Sequence, residues 1–450
     1  DGDGVLLPIM QEAEEYERPD LISGVASIAS LCASIGMTLE QLEDIVRWAY
    51  SSHVEENLTY ATAIYTAAKD EIGGRFSLEP GEHHGGVVLP GTQAIAMSYA
   101  AAGLNNYFAY PMTQSALILD FLEGHDRDLD IAAMQPENEL AAANMAVGAA
   151  FAGSRVMVAT SGGGFALMEE AFSVAGMTEA PVLFVLSSRP GPSTGVPTYT
   201  EQGDLWMALH QGHGEFPCIV ASPGGISEAF TLAGEMLSLV WRFQTPGVLL
   251  TEKHCSESAM NVALEPDMVP WAALELYDGD DFQRYRLADS GISPLLFPPS
   301  GQTIKWNSYE CDENGVTTED ADVIKAMHDK RQQKHRSLLE HLRDMRTVNV
   351  YGDGDAVIFT YGSTTLSVLE ALRFGDIDVR VVQPVYLRPF PMWELDVYDE
   401  GVMVEQSAKG SFERLLRERA GISPTASVRK YDGRPFEPAM LAAELEEVLP

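Results

Sequence analysis

A doubly wound α/β protein with a mostly parallel sheet is the fold class the sequence predicts, on three observations. From residue 86 onward, short runs rich in β-branched and aromatic residues alternate with longer runs whose apolar residues recur every three and four positions. Several of the short runs stop at a polar or glycine-rich turn, and a helix-like pattern follows at once, which is the strand, loop and helix unit of parallel sheets. The chain has 450 residues, 46% of them hydrophobic, enough for sizeable cores and two to four domains. In such a sheet the loops at the carboxyl edge of the strands hold ligands. Here those loops fall between residues 107 and 198.

In chain order, residues 19–72 hold three helix-like segments, PDLISGVASIASLCASIG, TLEQLEDIVRWAYSS and EENLTYATAIYTAAKDEI. Thr38 with Gln41 three residues on has capping-box spacing. Small residues such as Gly24, Ser30 and Ala33 suit close helix contacts, and the region carries no chemistry. Residues 73–85 read as a linker. Its adjacent His83 and His84 have no further ligands nearby and read as solvated rather than metal-binding. The alternation then runs through strands NYFAY, DIAAM, RVMVAT, PVLFVLSS, CIVAS and PGVLLTEK, with helices at TQAIAMSYAAAG, SALILDFLEG, ENELAAANMAVGAAFAG, FALMEEAFSVAGM and ISEAFTLAGEMLSLVWRF. Residues 257–350 lack periodicity until a charged helix near TEDADVIKAMHDKRQQKHRSLLEHLRDM, and read as a connecting arm. Strands AVIFTYG, DVRVVQPV, GVMVEQS and SVRKYDG, with helices at STTLSVLEALRFG, GSFERLLRERAG and PAMLAAELEEVL, form a second, smaller doubly wound domain. The expected organisation is therefore 1–80, 81–256, 257–350 and 351–450.

The formal charge of −37, from 66 acidic and 29 basic side chains, argues against a nucleic-acid partner, which needs clustered Lys and Arg. Arginine carries most of the positive charge, a balance that fits a high-salt cytoplasm as well as an ordinary acidic enzyme surface. No run of about 18 apolar residues occurs and the first residues are acidic, so neither a membrane span nor a secretory leader is indicated and a cytoplasmic protein is expected. Position 1 is Asp, as in a chain that begins inside a longer or processed protein. Cys32, Cys218, Cys255 and Cys311 lie far apart without a C-x-x-C pair and read as reduced thiols rather than a zinc or iron–sulfur site.

Three groups at the predicted carboxyl edge can carry chemistry. TSGGGFALMEEA follows a strand and opens a helix, so backbone N–H groups near Ser161 and Gly162 can face an anion or a ring edge; it has neither P-loop nor dinucleotide spacing, and a plain tight turn is the competing reading. Glu139 opens a helix after DIAAM. A carboxylate there is ordinarily a solvated, dipole-favoured residue, but the alanines behind it and Gly148 let a backbone or flat ring approach. Arg189 opens RPGPSTGVPT, a proline-stiffened loop with Ser193, Thr194 and Thr198; it suits a carboxylate or phosphate, or else an interdomain ion pair. Two GDG triplets occur, but no Asn follows Gly354 as a diphosphate-binding signature requires.

The set YPMTQ, QPENELAAANMAVGAAFAG, ATSGGGFALMEEA, RPGPSTGVPTYTEQGDL, HGEFP and VWRFQTPGVLLTEK resembles the alpha subunit of 2-oxoacid:ferredoxin oxidoreductases, most closely the 2-oxoglutarate-type branch. The resemblance extends through YRLADSGISP and MHDKRQQK to VMVEQSAKGSFERLL and YDGRPF. Residues 19–72 resemble the tail of a fused gamma domain whose glycine-rich start is missing. The resemblance implies a thiamine-diphosphate pyrimidine-binding domain followed by a transketolase-C-terminal-like domain, with a beta subunit supplying the diphosphate, Mg²⁺ and [4Fe–4S] sites in an (αβ)₂ assembly. It implies that Glu139 hydrogen-bonds the aminopyrimidine ring, with Ser161 and Gly162 beside the cofactor, that Thr113 and Arg189 face the substrate carboxylate, and that Thr198 lies near the substrate. The implied reaction decarboxylates a 2-oxoacid, passes two electrons singly to ferredoxin and the acyl group to coenzyme A, or runs in reverse. Two departures, Gln114 in YPMTQ for the usual proline and TSGGG for TSGPG, bear on loop rigidity and substrate choice. A thiamine enzyme of another class and a non-catalytic scaffold are the competing expectations.

Overall fold

The computed structural model describes residues 5–76, 78, 86–113, 115–272, 274–375 and 377–449. The histidine pair at 83 and 84, the first GDG triplet and Gln114 lie outside the described residues. The chain divides into two compact units, Asp1–His84 and Gly85–Pro450.

The first unit is helical. Short helices Ile9–Ala13 and Pro19–Ile22 precede Val25–Ser34, Leu39–Ala49 and Val54–Ile72. The expected first segment is thus two helices, parted at Ser23 and Gly24. Thr38 and Gln41 form the capping box, with the Gln41 N–H donating to Thr38 Oγ1 at 3.2 Å and the Thr38 N–H to Gln41 Oε1 at 2.8 Å. Val25, Ala29, Cys32, Leu42, Val46, Tyr60, Ile64 and Ala68 form its core.

The second unit is organised on a seven-stranded sheet. From edge to edge its strands are Tyr386–Arg388, Ile219–Ala221, Gly247–Glu252, Val182–Ser188, Val156–Thr160, Asn106–Phe108 and Ala132–Met134, all parallel except the first. Every residue of Val156–Thr160, Val182–Ser188 and Gly247–Glu252 is buried, as expected of central parallel strands covered on both faces. One face packs on helices Gly91–Ala101 and Ile226–Phe243, the other on Glu139–Phe151 and Glu169–Thr178. The helix expected to start at Phe165 is two, Gly162–Leu167 and Glu169–Thr178, with Met168 (φ −85°, ψ 2°) between them.

A five-stranded sheet follows, in the order Ser423–Arg429, Glu400–Glu405, Val357–Phe359, Arg380–Pro384 and Val348–Tyr351, the last antiparallel. Strand Ser423–Arg429 begins four residues earlier than the sequence pattern indicates. Four other strands were not expected: Val348–Tyr351, which falls in the expected arm, Val87–Pro90 with its antiparallel partner Ala259–Val262, and Tyr386–Arg388, which closes an edge of the first sheet. The arm helix Ala321–Arg343 is capped by Asp320, whose Oδ1 accepts from the Asp322 and Val323 N–H groups. It delivers Lys330 and Lys334 to the buried Glu179 at the end of helix Glu169–Thr178. Among the described residues no helix is long and apolar enough to cross a membrane. All four cysteines are free and buried.

Candidate active site

Four neighbouring strands of the large sheet end at one edge and present the predicted residues there. Arg189 follows Val182–Ser188, Ser161 and Gly162 follow Val156–Thr160, Thr113 follows Asn106–Phe108, and Glu139 follows Ala132–Met134. The parallel ladder sets this convergence, since each strand in the run enters the edge pointing the same way.

Glu139 is the first residue of its helix. Asn138 caps that helix by accepting from the Ala141 N–H at 2.9 Å, which fixes the direction in which Glu139 leaves the backbone. Its side chain is buried, at 5% exposure. Gly164 makes room for it: a Cβ there would lie 2.7 Å from Glu139 Cγ and 2.9 Å from Oε1. Among the described residues no side chain forms an ion pair with it. A Cβ on Gly164 would meet the Thr160 hydroxyl more closely still, so the third glycine of TSGGG is required by Thr160 and the approach of Glu139 together. Gly148, by contrast, has open space where a Cβ would be, so nothing within this chain requires it.

Arg189 is 8% exposed, and no carboxylate lies within ion-pair distance of it among the described residues. Its Nη1 donates to Thr113 Oγ1 at 3.1 Å, and Nη2 lies 3.7 Å from Met112 Sδ. A buried guanidinium held by a hydroxyl and a thioether retains donors for a planar anion. The structure thus joins Thr113 and Arg189. Thr198 is exposed and, among the described residues, forms no hydrogen bond with either; it lines a cavity of about 310 Å³ with Tyr199, Lys253, His254 and Arg434. Ser161 is fully buried and precedes helix Gly162–Leu167, with its carbonyl accepting from the Phe165 N–H at 2.9 Å.

Sequence reasoning passed over Asp204, although it stands in the quoted TEQGDL. A Cβ on Gly162 would lie 2.7 Å from Asp204 Oδ2 and 2.9 Å from Oδ1, so this carboxyl packs directly on the glycine turn. Burial pushes its pKa up, partly offset by the Ser188 hydroxyl and by the charge and backbone N–H of Arg189. An acidic residue one place after a glycine in a loop that follows a candidate anion-binding arginine is the signal that marks it.

The edge suits an organic ring cofactor paired with a carboxylate substrate. A buried carboxylate beside a glycine turn can hold a proton at a ring nitrogen, and the Arg and Thr pair can orient an anion. This combination defines a thiamine-diphosphate-type pyrimidine-binding fold. Residues 98–330 match the family model described as pyruvate flavodoxin/ferredoxin oxidoreductase, thiamine diphosphate-binding. The chain belongs to the 2-oxoacid:ferredoxin oxidoreductase alpha-subunit family. It is 33% identical to the alpha subunit of 2-oxoacid:ferredoxin oxidoreductase 2 of Aeropyrum pernix, across 94% of this chain and 71% of that one. It is also 33% identical to the corresponding subunit of enzyme 1 of Sulfurisphaera tokodaii, across 84% of this chain and 64% of that one. A solved 2-oxoglutarate:ferredoxin oxidoreductase from Magnetococcus marinus, with 2-oxoglutarate, coenzyme A and succinyl-CoA bound, superposes with a TM-score of 0.87 at 27% identity, covering 98% of this chain and 80% of the other. The family and fold class are those the motifs pointed to.

Proposed function

We propose that this chain is the alpha half of a cytoplasmic enzyme that oxidatively decarboxylates a 2-oxoacid, 2-oxoglutarate or pyruvate, to an acyl-CoA and CO₂ with electrons passed to ferredoxin. The observation that carries the reading is Arg189: a buried cation with no carboxylate at ion-pair distance among the described residues, held by Thr113 on the sheet edge that also presents Glu139. The Magnetococcus marinus relative binds 2-oxoglutarate and coenzyme A, which supports the same substrate class here.

The residues fit the ring end of thiamine diphosphate, because Gly164 leaves the space through which buried Glu139 reaches the cleft. When bound, the cofactor supplies a nucleophilic carbon and an electron sink for decarboxylation. Glu139 holds a proton at the aminopyrimidine nitrogen through its carboxylate, and Ser161 and Gly162 line the ring. Arg189 and Thr113 take the 2-oxoacid carboxylate and fix the carbonyl by position. Thr198 lies farther along the substrate path. Mg²⁺, the diphosphate contacts and a [4Fe–4S] cluster belong to a beta subunit in an (αβ)₂ assembly. Among the described residues no group of three or more His, Cys, Asp or Glu is placed to hold a metal. Leu140, Met134 and Leu167, each between 45% and 51% exposed on or after the elements that form the site, offer that subunit an apolar rim.

Glu139→Gln in the assembled complex tests the proposal. Loss of the proton-holding carboxylate should lower 2-oxoacid-dependent reduction of a one-electron acceptor by about 10²–10⁴-fold. Unchanged turnover would remove Glu139 from the site.

A further inference from the structure

The segment EQGD at residues 201–204 is held more firmly than a surface loop requires. Gln202, 1% exposed, donates through Nε2 to Glu252 Oε1 at 2.7 Å and to the Tyr361 carbonyl at 2.9 Å. Its Oε1 accepts from Thr364 Oγ1 at 3.0 Å and from the Gln406 N–H at 2.9 Å, and its own N–H donates to the Gln406 carbonyl at 2.8 Å. The loop is therefore fixed by Glu252 and by residues from beyond position 360, and Asp204 inherits a defined place.

Asp204 stands where a helix cap would, immediately before helix Leu205–His210, yet its side chain makes no capping hydrogen bond. It points to the glycine turn instead, against Gly162. Oδ2 is buried and meets no hydrogen-bond partner at bonding geometry among the described residues, although the Ser188 hydroxyl and the Arg189 N–H lie near enough to the carboxyl to favour its charged form. An Asp at this position ordinarily satisfies a helix N–H. Leaving a buried carboxyl oxygen unpaired is costly unless the group holds a proton or meets a ligand.

We infer that Asp204 is a positioning residue whose ionisation governs how the 2-oxoacid carboxylate docks on Arg189, admitting the anion when protonated and opposing it when charged. The inference rests on the assignment of Arg189 to that carboxylate. One buried guanidinium neutralises one carboxylate. When the substrate occupies Arg189, an ionised Asp204 becomes surplus negative charge among largely buried groups, and two carboxylates cannot both remain ionised there at little cost. Docking therefore favours uptake of a proton from solvent onto the Asp204 carboxyl.

The groups that face Asp204 agree with this. The Ser188 hydroxyl and Arg189 come from the end of strand Val182–Ser188, the Gly162 backbone from the glycine turn, Glu201 from its own loop, and the Tyr361 phenol from the second sheet. Arg189 is the one cation among them. Burial raises both Asp204 and Glu201, and the charge of Asp204 raises Glu201 further. Glu139 lies beyond Gly164 and is reserved for the ring.

The test measures KM and kcat for 2-oxoglutarate and pyruvate on the assembled complex between pH 5 and 8.5. Wild type, Asp204→Asn, Asp204→Glu and Glu201→Gln are compared. In the wild type KM should rise by about tenfold as Asp204 ionises, the equivalent of one unit of coupling between the two carboxylates. Asp204→Asn should hold KM near the wild-type low-pH value throughout, with the change falling on KM rather than on kcat. Asp204→Glu should restore the rise and Glu201→Gln should keep it. A KM for Asp204→Asn that still rises with pH overturns the inference, as does one raised equally at every pH, which marks a role in packing alone. Arg189→Leu separates the two layers of the argument: an unchanged KM defeats the carboxylate assignment itself. A raised KM in Arg189→Leu beside an unaltered profile in Asp204→Asn defeats only the role of Asp204.

Discussion

Replacing Glu179 by Gln removes one charge from the most enclosed ionic cluster of the fold and changes almost nothing in shape. Lys330 Nζ lies 2.7 Å from Oε1 and 2.8 Å from Oε2 of Glu179, and Lys334 Nζ pairs with Oε2 while donating to the Gln244 carbonyl at 2.9 Å. Both ammonium groups have 1% side-chain exposure. Arg284 closes the cluster through Gln244 Oε1 at 3.0 Å and the Glu179 and Thr178 carbonyls at 2.9 and 3.1 Å. Burial alone would raise Glu179, but Lys330, Lys334 and Arg284 outweigh it and hold the carboxyl well below its usual range. Burial also brings Lys334 down to about 7 although Glu179 opposes the shift.

With the carboxylate gone, three buried cations face each other. Stranding a partner of a buried pair costs about 3–5 kcal/mol. Relief by deprotonation is bounded similarly: holding Lys334 neutral at pH 7 against an ordinary value of 10.5 costs about 5 kcal/mol at most, from 1.36 kcal/mol per unit. Denaturant unfolding at pH 7 should show a loss of about 3–5 kcal/mol. The sign of the pH dependence follows from proton counts. Between neutrality and the ordinary lysine range the unfolded variant binds more protons than the folded one, so its stability rises with pH and the deficit narrows by pH 9 to 10. A loss below about 1 kcal/mol, unchanged across that range, would refute the claim that this cluster is a charged clamp on the arm helix.

Gly164→Ala drives a methyl into the buried Thr160 hydroxyl and to 2.7 Å from Glu139 Cγ, so the melting temperature should fall and turnover in the complex should drop at least tenfold; retained turnover would show that Glu139 need not pass there. Burial raises Glu252 to about 7, so the folded protein binds the extra proton between about pH 4.5 and 7 and loses stability as pH rises through that window. Glu252→Gln should abolish that slope, worth about 3 kcal/mol at most, and pH-dependent unfolding that matches the wild type would refute it.

The central strands were legible because burial on both faces leaves an apolar run that any window detects, as in VMVAT and LFVLSS. Tyr386–Arg388 was not, because YLRPFPM carries two prolines within five residues and reads as a loop until a neighbouring strand supplies its partner. At the site, Glu139 and Arg189 showed themselves through helix-start and strand-end positions. Asp204 did not, since its significance is its contact with Gly162, distant in sequence and visible only after folding. The same holds for Lys330 and Lys334. In the sequence they belong to a charged helix face that normally meets water, and only Glu179, far upstream, makes their burial tolerable.

Strand Tyr386–Arg388 pairs Tyr386 with Ala221 and Arg388 with Val220, and the Arg388 guanidinium donates to the Leu209 carbonyl at 2.6 Å. The large sheet is thus completed by residues synthesised well after its other six strands. Until the ribosome reaches that point, Ile219–Ala221 is a raw edge with open backbone groups, prone to pair with another nascent chain. The two sheets cannot be inherited, expressed or engineered as separate pieces by cutting near residue 350, because such a cut removes the strip that seals the first.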